Sequence, residues 1–195
     1  MAVRIAEHIT QKLIMESIIE EDDRELYCYG FFLLITHFFF FLVTATTGFI
    51  GGIWLESVVF YAVFMILRTY AGGVHAKSET VCTTLTTLSL TSTVYGIKRI
   101  DLLDINMFML PLLAVGTGVI LLLSPLDTME KPLENHERKL FRTVSCTLAL
   151  IFAVIAVISQ LLSFFRLSYP IICSICLEGI LLVIGKVRTI KDHDL

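Results

Sequence analysis

Apolar residues in this chain come in long blocks separated by short polar breaks, near 29–50, 52–68, 80–97, 102–123, 140–162 and 164–186. Each block approaches the roughly 17–25 residues an α-helix needs to cross a bilayer, so the pattern predicts six membrane spans, with four or seven as the alternatives. The second block is short and carries Trp54 and Glu56 at one end, and the third is rich in threonine and serine, so these two are the least regular. Ahead of the first span, Ala2, Ile5, Ala6, Ile9 and Leu13 recur on one side of a helix, with Arg4, Glu7, His8 and Gln11 elsewhere. That spacing predicts an amphipathic helix lying in the membrane interface. The acidic run Glu20, Glu21, Asp22, Asp23 with Glu25 reads as a solvated connector, the alternative being a docking surface for a partner. The expected architecture is an all-α integral membrane protein. Residues 1–28 form the amphipathic N-terminal helix and acidic connector, and residues 29–195 form a six-span membrane domain.

Composition strengthens this picture. The 195 residues are 56% hydrophobic and 17% charged, against about 45–50% and 25% in ordinary soluble domains. A soluble globular enzyme is excluded on that basis, and a net charge of -3 argues against a nucleic-acid-binding surface. The N-terminus lacks the uninterrupted apolar core and small-residue cleavage site of a removable signal peptide. Five cysteines, Cys28, Cys82, Cys146, Cys173 and Cys176, lie mostly in apolar segments without the spacing of a disulfide framework, so free thiols are expected.

Charge sets the expected orientation, because cytoplasmic loops carry the excess of lysine and arginine. With the N-terminus inside, Arg4, Lys12, Arg24, Arg68, Lys77, Lys131, Arg138, Lys139, Arg142, Lys186, Arg188 and Lys191 share one side, leaving Lys98, Arg99 and Arg166 on the other. Both termini and the loops 69–79 and 124–139 are then cytoplasmic.

The densest chemistry sits on that side, in the segment from Arg68 to Cys82, RTYAGGVHAKSETVC. A histidine and a cysteine are the minimum for thiol catalysis, since the imidazole takes the thiol proton and the thiolate attacks. Cys82 is the candidate nucleophile and His75 the candidate base. Seven residues of unbroken helix would hold the two roughly 10 Å apart, so the chain between them should break. Ser78 is a suitable N-cap for the third span, which puts Cys82 in about the first helical turn, where the helix dipole favours a thiolate. Gly72 and Gly73 would let the chain fold back toward it, and amides there can donate to an oxyanion. The structural alternatives are a histidine at the headgroup boundary and a cysteine packing as a small apolar residue. A zinc site from His75 and Cys82 would lack two of its four ligands, and Cys173 and Cys176, deep in the last span, read as packing.

Three further features stand out. The third span stacks nine threonines and serines, from Thr80 to Thr93, whose hydroxyls can bond back along the helix, or line a polar cavity wall. Glu178 and His37 lie within predicted spans, where an ionisable group is costly. Both read as structural, with a protonated or hydrogen-bonded Glu178 carboxyl facing another helix, the alternative for it being a catalytic role. The loop from Ser124 to Arg142 carries Lys131, Arg138, Lys139 and Arg142 together with Asp127, Glu130, Glu134 and Glu137; its cations fit the topology and attraction to anionic headgroups, and Pro125 and Pro132 stiffen it.

Arg68, then Gly72, Gly73, Val74 and His75, and Cys82 seven residues on, inside a six-span chain of this length, resemble the accessory gene regulator protein B family (AgrB). These are membrane endopeptidases of Gram-positive peptide quorum sensing. The resemblance covers most of the chain, including the interfacial helix and the loop SPLDTMEKPLENHERK. It implies an enzyme that removes the C-terminal tail of an autoinducer precursor peptide (AgrD-like) through a thioester on Cys82, with His75 shuttling the proton. A cysteine or serine of the precursor then closes a thiolactone or lactone ring. The resemblance further implies that Arg68 organises the loop or binds substrate, and that Lys131, Arg138 and Lys139 bind the acidic tail. It allows a homodimer in the lipid bilayer and requires no metal or organic cofactor. A small multi-span transporter or channel for a peptide or ion, or a noncatalytic scaffold presenting the acidic N-terminal stretch, are the rivals; neither would form a covalent adduct.

Overall fold

The computed structural model of the protein describes residues 2–72, 79–103, 106–126 and 135–193. Its helices are α1 (Ala2–Met15), α2 (Arg24–Gly51), α3 (Trp54–Ala71), α4 (Glu79–Leu103), α5 (Asn106–Leu123), α6 (Asn135–Leu161) and α7 (Phe165–His193), with a 3-10 turn at Glu21–Asp23. Among the described residues the one extended pairing is a parallel bridge between Gly72 and Leu126. The six apolar blocks of the sequence correspond to α2–α7, and the amphipathic stripe to α1. Among the described residues four helices are long and apolar enough to cross a membrane, namely α2, α3, α6 and α7. The apolar stretch Met107–Leu123 of α5 is shorter, and α4, diluted by its threonines and serines, is not among them.

The chain divides into two compact units, 1–43 and 44–195, with the boundary inside α2. In the first, the Thr10 hydroxyl donates to the Ala6 carbonyl at 2.9 Å on the buried side of α1, and α1 ends with Ser17 in the left-handed region (φ 56). The Ile18 amide reaches back to Leu13 and the Ser17 amide to Ile14, both at 2.9 Å, the 6→1 and 5→2 bonds that satisfy the last helical carbonyls. The same closure recurs in the second unit at Gly52 (φ 75) after α2 and at Ser163 (φ 60) after α6.

In the second unit, α7 packs chiefly on α5 and α3, then on α6, while α4 touches α7 and α3 lightly. The core they share includes Leu67, Leu113, Ile120, Ala149, Ile172, Ile175 and Leu182. Gly116 and Gly179 allow the α5–α7 approach: a Cβ on Gly116 would sit 3.3 Å from the Cys176 Cα, and one on Gly179 would sit 3.4 Å from the Gly116 carbonyl oxygen. Such small-residue contacts are the usual way for helices to associate where lipid removes the hydrophobic incentive. The Ser174 hydroxyl lies 2.8 Å from both the Phe60 and the Pro170 carbonyl oxygens, and Ser168 donates to Gln160 Oε1 at 2.6 Å. The outer faces are apolar instead: Leu122 is 78% exposed, Phe108 68% and Val115 65%. In water so continuous an apolar exterior would aggregate, whereas in lipid it is the required surface.

Contacts fix the directions of the helices. Arg166 pairs with Glu56 near the starts of α7 and α3, and Arg68 pairs with Glu178 further along both, so these two helices run parallel. On α5, Leu112 meets Cys176 and Val119 meets Gly179, so α5 is parallel to α7 as well. The chain therefore returns between α3 and α5, and α4 is the element that carries it. Its Lys98 approaches Gly51, at the end of the unit where α2 hands over to α3.

Candidate active site

The ends of α3 and α5 meet where the sequence places its reactive segment. Helix α3 stops at Ala71 because Gly72 takes φ 77 and ψ -153, a combination essentially confined to glycine. A Cβ there would lie 2.7 Å from the Leu126 carbonyl oxygen. The Leu126 amide donates to the Ala71 carbonyl at 3.0 Å, and the Gly72 amide closes the helix on the Arg68 carbonyl at 3.2 Å. The residues that begin the loop after α5 are thereby tied to the residues that open the His75 segment.

Arg68 sits above this junction, in the last turn of α3. Its Nη1 donates to the Gly72 carbonyl oxygen at 3.0 Å and lies 3.9 Å from Glu178 Oε1. The Arg68 side chain is 19% exposed and that of Glu178 is fully buried. Among the described residues neither Glu178 oxygen accepts a hydrogen bond. Glu178 lies within the apolar run of α7, eight residues before Lys186, about 12 Å at 1.5 Å per residue. Nearby, Tyr70 meets Phe141 edge-on with ring centroids 5.9 Å apart, which seats the start of α6 against the end of α3. The Ser124 and Ser145 hydroxyls join the end of α5 to α6 in the same region.

The sequence-expected residues divide accordingly. Arg68 and Gly72 come together at the junction, and Arg138 and Lys139 are exposed in the first turns of α6. Cys82 is the fourth residue of α4. Gly73, His75, Ser78 and Lys131 lie outside the described residues. The hydroxyls of Ser89, Thr91 and Thr93 bond back to the carbonyls of Leu85, Thr87 and Ser89 at 2.7–2.8 Å, the self-satisfying arrangement that lets so polar a helix enter lipid. Of the cysteines, Cys28, Cys146, Cys173 and Cys176 are free thiols. Two participants escaped the sequence reading, namely Leu126, which supplies the backbone bridge, and Glu178 as the partner of Arg68. The signal for the pair was faint, a single Glu178 within the apolar run of α7 and Arg68 in the last turn of α3, and Leu126 carried none.

Fold and site together define an all-α, multi-span membrane protein with a glycine-bridged junction leading into a histidine–cysteine segment. The chain belongs to the accessory gene regulator B family, whose model matches residues 5–183. A protein of Clostridium perfringens (strain SM101 / Type A) described as AgrB-like is 24% identical over 187 residues, covering 93% of this chain and 87% of the relative. AgrB-like protein 2 of Clostridium perfringens (strain 13 / Type A) is 26% identical over 184 residues, covering 90% and 86%. No solved structure matches. Membership connects the chain to accessory gene regulator peptide processing at a membrane, with a precursor peptide as its partner.

Proposed function

We propose that the protein is a membrane cysteine endopeptidase that removes the C-terminal tail of an autoinducer precursor and readies the remainder for cyclisation. The observation that carries this reading is the presence of His75 and Cys82, seven residues apart, in a chain matched to the family over residues 5–183. The position of Cys82 as the fourth residue of α4 supports it, because unpaired amides and the positive end of the dipole stabilise a thiolate in a first helical turn.

In this mechanism His75 takes the Cys82 proton and the thiolate attacks the scissile carbonyl. Collapse of the tetrahedral intermediate breaks the C–N bond, the imidazolium gives its proton to the departing amine, and a thioester remains on Cys82. A thiol or hydroxyl of the bound precursor attacks that thioester, its proton passes through His75 to the Cys82 sulfur, and the ring closes. Tethering lets ring closure outrun hydrolysis, since the intramolecular nucleophile has a high effective concentration. Arg68 and Gly72 organise the loop, while Lys131, Arg138 and Lys139 attract the acidic tail. Both termini and the segment 68–82 face the cytoplasm, the side the positive charges favour.

The test is mass spectrometry of the liposome-embedded protein mixed with the precursor peptide encoded beside it, comparing wild type with Cys82→Ala and His75→Ala. An acyl adduct on Cys82 with tail release, both abolished by Cys82→Ala, is the expected result. Tail release that persists in Cys82→Ala removes Cys82 as nucleophile, and a cognate precursor that wild type neither cleaves nor acylates favours the transporter reading.

A further inference from the structure

A carboxylate buried in a membrane helix with no hydrogen-bond donor among the described residues is an expensive feature, and an ion pair alone does not account for it. Buried pairs are frequently replaceable by apolar residues with no loss of stability. Glu178 also sits at 3.9 Å from Arg68, beyond hydrogen-bond range, so its attraction is that of a counter-charge rather than a directional bond. What that counter-charge acts upon is an arginine in the last turn of α3 whose Nη1 holds the Gly72 carbonyl. An arginine this close to a helix end has the reach to swing toward the headgroups, where its charge is better solvated. Glu178 opposes that excursion from the interior.

We propose that Glu178 is a positioning residue: through Arg68 it holds the Gly72 carbonyl, and with it the turn bridged to Leu126 from which the chain departs toward His75. The connection to the chemistry is short. His75 follows Gly72 by three residues, and three residues span at most about 10 Å, so a displaced Gly72 displaces the space His75 can reach. The bridge spreads the effect, because Leu126 opens the loop that leads to Lys131, Arg138 and Lys139. The role in catalysis rests on the peptidase reading above; the mechanical role does not.

The experiment uses the full chain in lipid nanodiscs as wild type, Glu178→Gln, Arg68→Gln and the double variant. Glutamine keeps the size of Glu178 while removing its negative charge and replacing one acceptor oxygen with an NH2 donor. Hydrogen–deuterium exchange is read on peptides covering residues 69–72 and 124–126, with the interiors of α5 and α6 as internal reference. Single-turnover acylation of Cys82 by the precursor is followed at saturating and subsaturating peptide. We expect exchange at the Ala71–Leu126 bridge to speed up about tenfold in Glu178→Gln, and the double variant to exchange no faster than Arg68→Gln, because the two residues act in one chain of contacts. The maximal acylation rate falls about tenfold to hundredfold, the scale of a misplaced catalytic group, while half-saturation stays within about twofold. Unchanged exchange at the bridge overturns the proposal. So do a rise shared by the α5 and α6 interiors, which marks general loosening, and acylation at the wild-type rate. If wild type forms no acyl adduct, the peptidase reading falls and the exchange data alone decide whether Glu178 holds the turn.

Discussion

Three glycine-to-alanine substitutions separate the kinds of work glycine does in this fold, and Gly72→Ala is the decisive one. At Gly72 the new methyl meets two obstacles. The backbone at φ 77 and ψ -153 belongs to a region essentially closed to other residues, which costs about 1–3 kcal/mol. The methyl would also sit 2.7 Å from the Leu126 carbonyl oxygen, a backbone atom that cannot rotate away. Relieving that contact separates the bridge and sacrifices the Leu126–Ala71 hydrogen bond, worth about 1 kcal/mol. Together these give a loss of about 2–4 kcal/mol, large against the roughly 5–15 kcal/mol of a typical domain. Gly52→Ala shares the positive φ of 75 but meets nothing within 4 Å, so it should cost only about 1 kcal/mol. Gly96→Ala, inside α4 with open space around it, should gain about 0.5–1 kcal/mol. Unfolding by SDS titration in mixed micelles, followed through the fluorescence of the single tryptophan, Trp54, ranks the three. The reasoning is refuted if Gly72→Ala is no less stable than Gly52→Ala.

Other outcomes follow from packing and charge. Gly116→Ala must push its methyl to 3.1 Å from Ile175 and 3.3 Å from the Cys176 Cα, so it should destabilise the α5–α7 contact by about 1 kcal/mol in the same titration. Ser163→Gly removes a side chain from φ 60 at the end of α6 and should raise stability by up to about 1 kcal/mol. Replacing both Arg138 and Lys139, exposed at the start of α6, with alanine should raise the KM for an acidic-tailed precursor severalfold at low salt. That difference should shrink in 0.5 M salt, where screening shortens to a few ångströms.

Periodicity and length made most of the helical framework readable in advance. The blocks of lipid-compatible sequence become α2–α7, and the Ala2–Leu13 stripe becomes α1, because burying backbone polar groups in lipid leaves a helix as the available solution. The ends were less legible. Helix α7 runs to His193 and α6 begins at Asn135, past the apolar blocks, since charged turns continue a helix without changing hydropathy. The Glu178 carboxyl faces another helix, as its sequence setting suggests: it lies 3.9 Å from Arg68 of α3, and among the described residues it accepts no hydrogen bond. No local pattern encodes that pairing, which depends on α3 and α7 lying parallel and at matched heights. Gly72 shows the opposite case. A glycine pair after an apolar block signals a turn, yet the reason the first glycine is needed becomes visible only when Leu126 is laid against it.

Helix α4 raises the sharpest question of topology, because hydropathy leaves it out of the long apolar helices while the contacts of its neighbours require the chain to return along it. Helices α3 and α5 are both parallel to α7, and their ends are bridged at Gly72 and Leu126, so the chain must regain the opposite end of the bundle between them. From Glu79, α4 reaches Lys98 beside Gly51 in nineteen residues, about 28 Å at 1.5 Å per residue, close to the roughly 30 Å of a hydrocarbon core. Its hydroxyls, bonded to carbonyls one turn back, reduce the penalty that its composition would otherwise carry. Lys77→Cys and Lys98→Cys should therefore react with a membrane-impermeant maleimide from opposite sides, the first from the cytoplasm and the second from outside. Labelling of both from one side would make α4 a re-entrant helix and would leave the parallel packing of α3 and α5 without a return path.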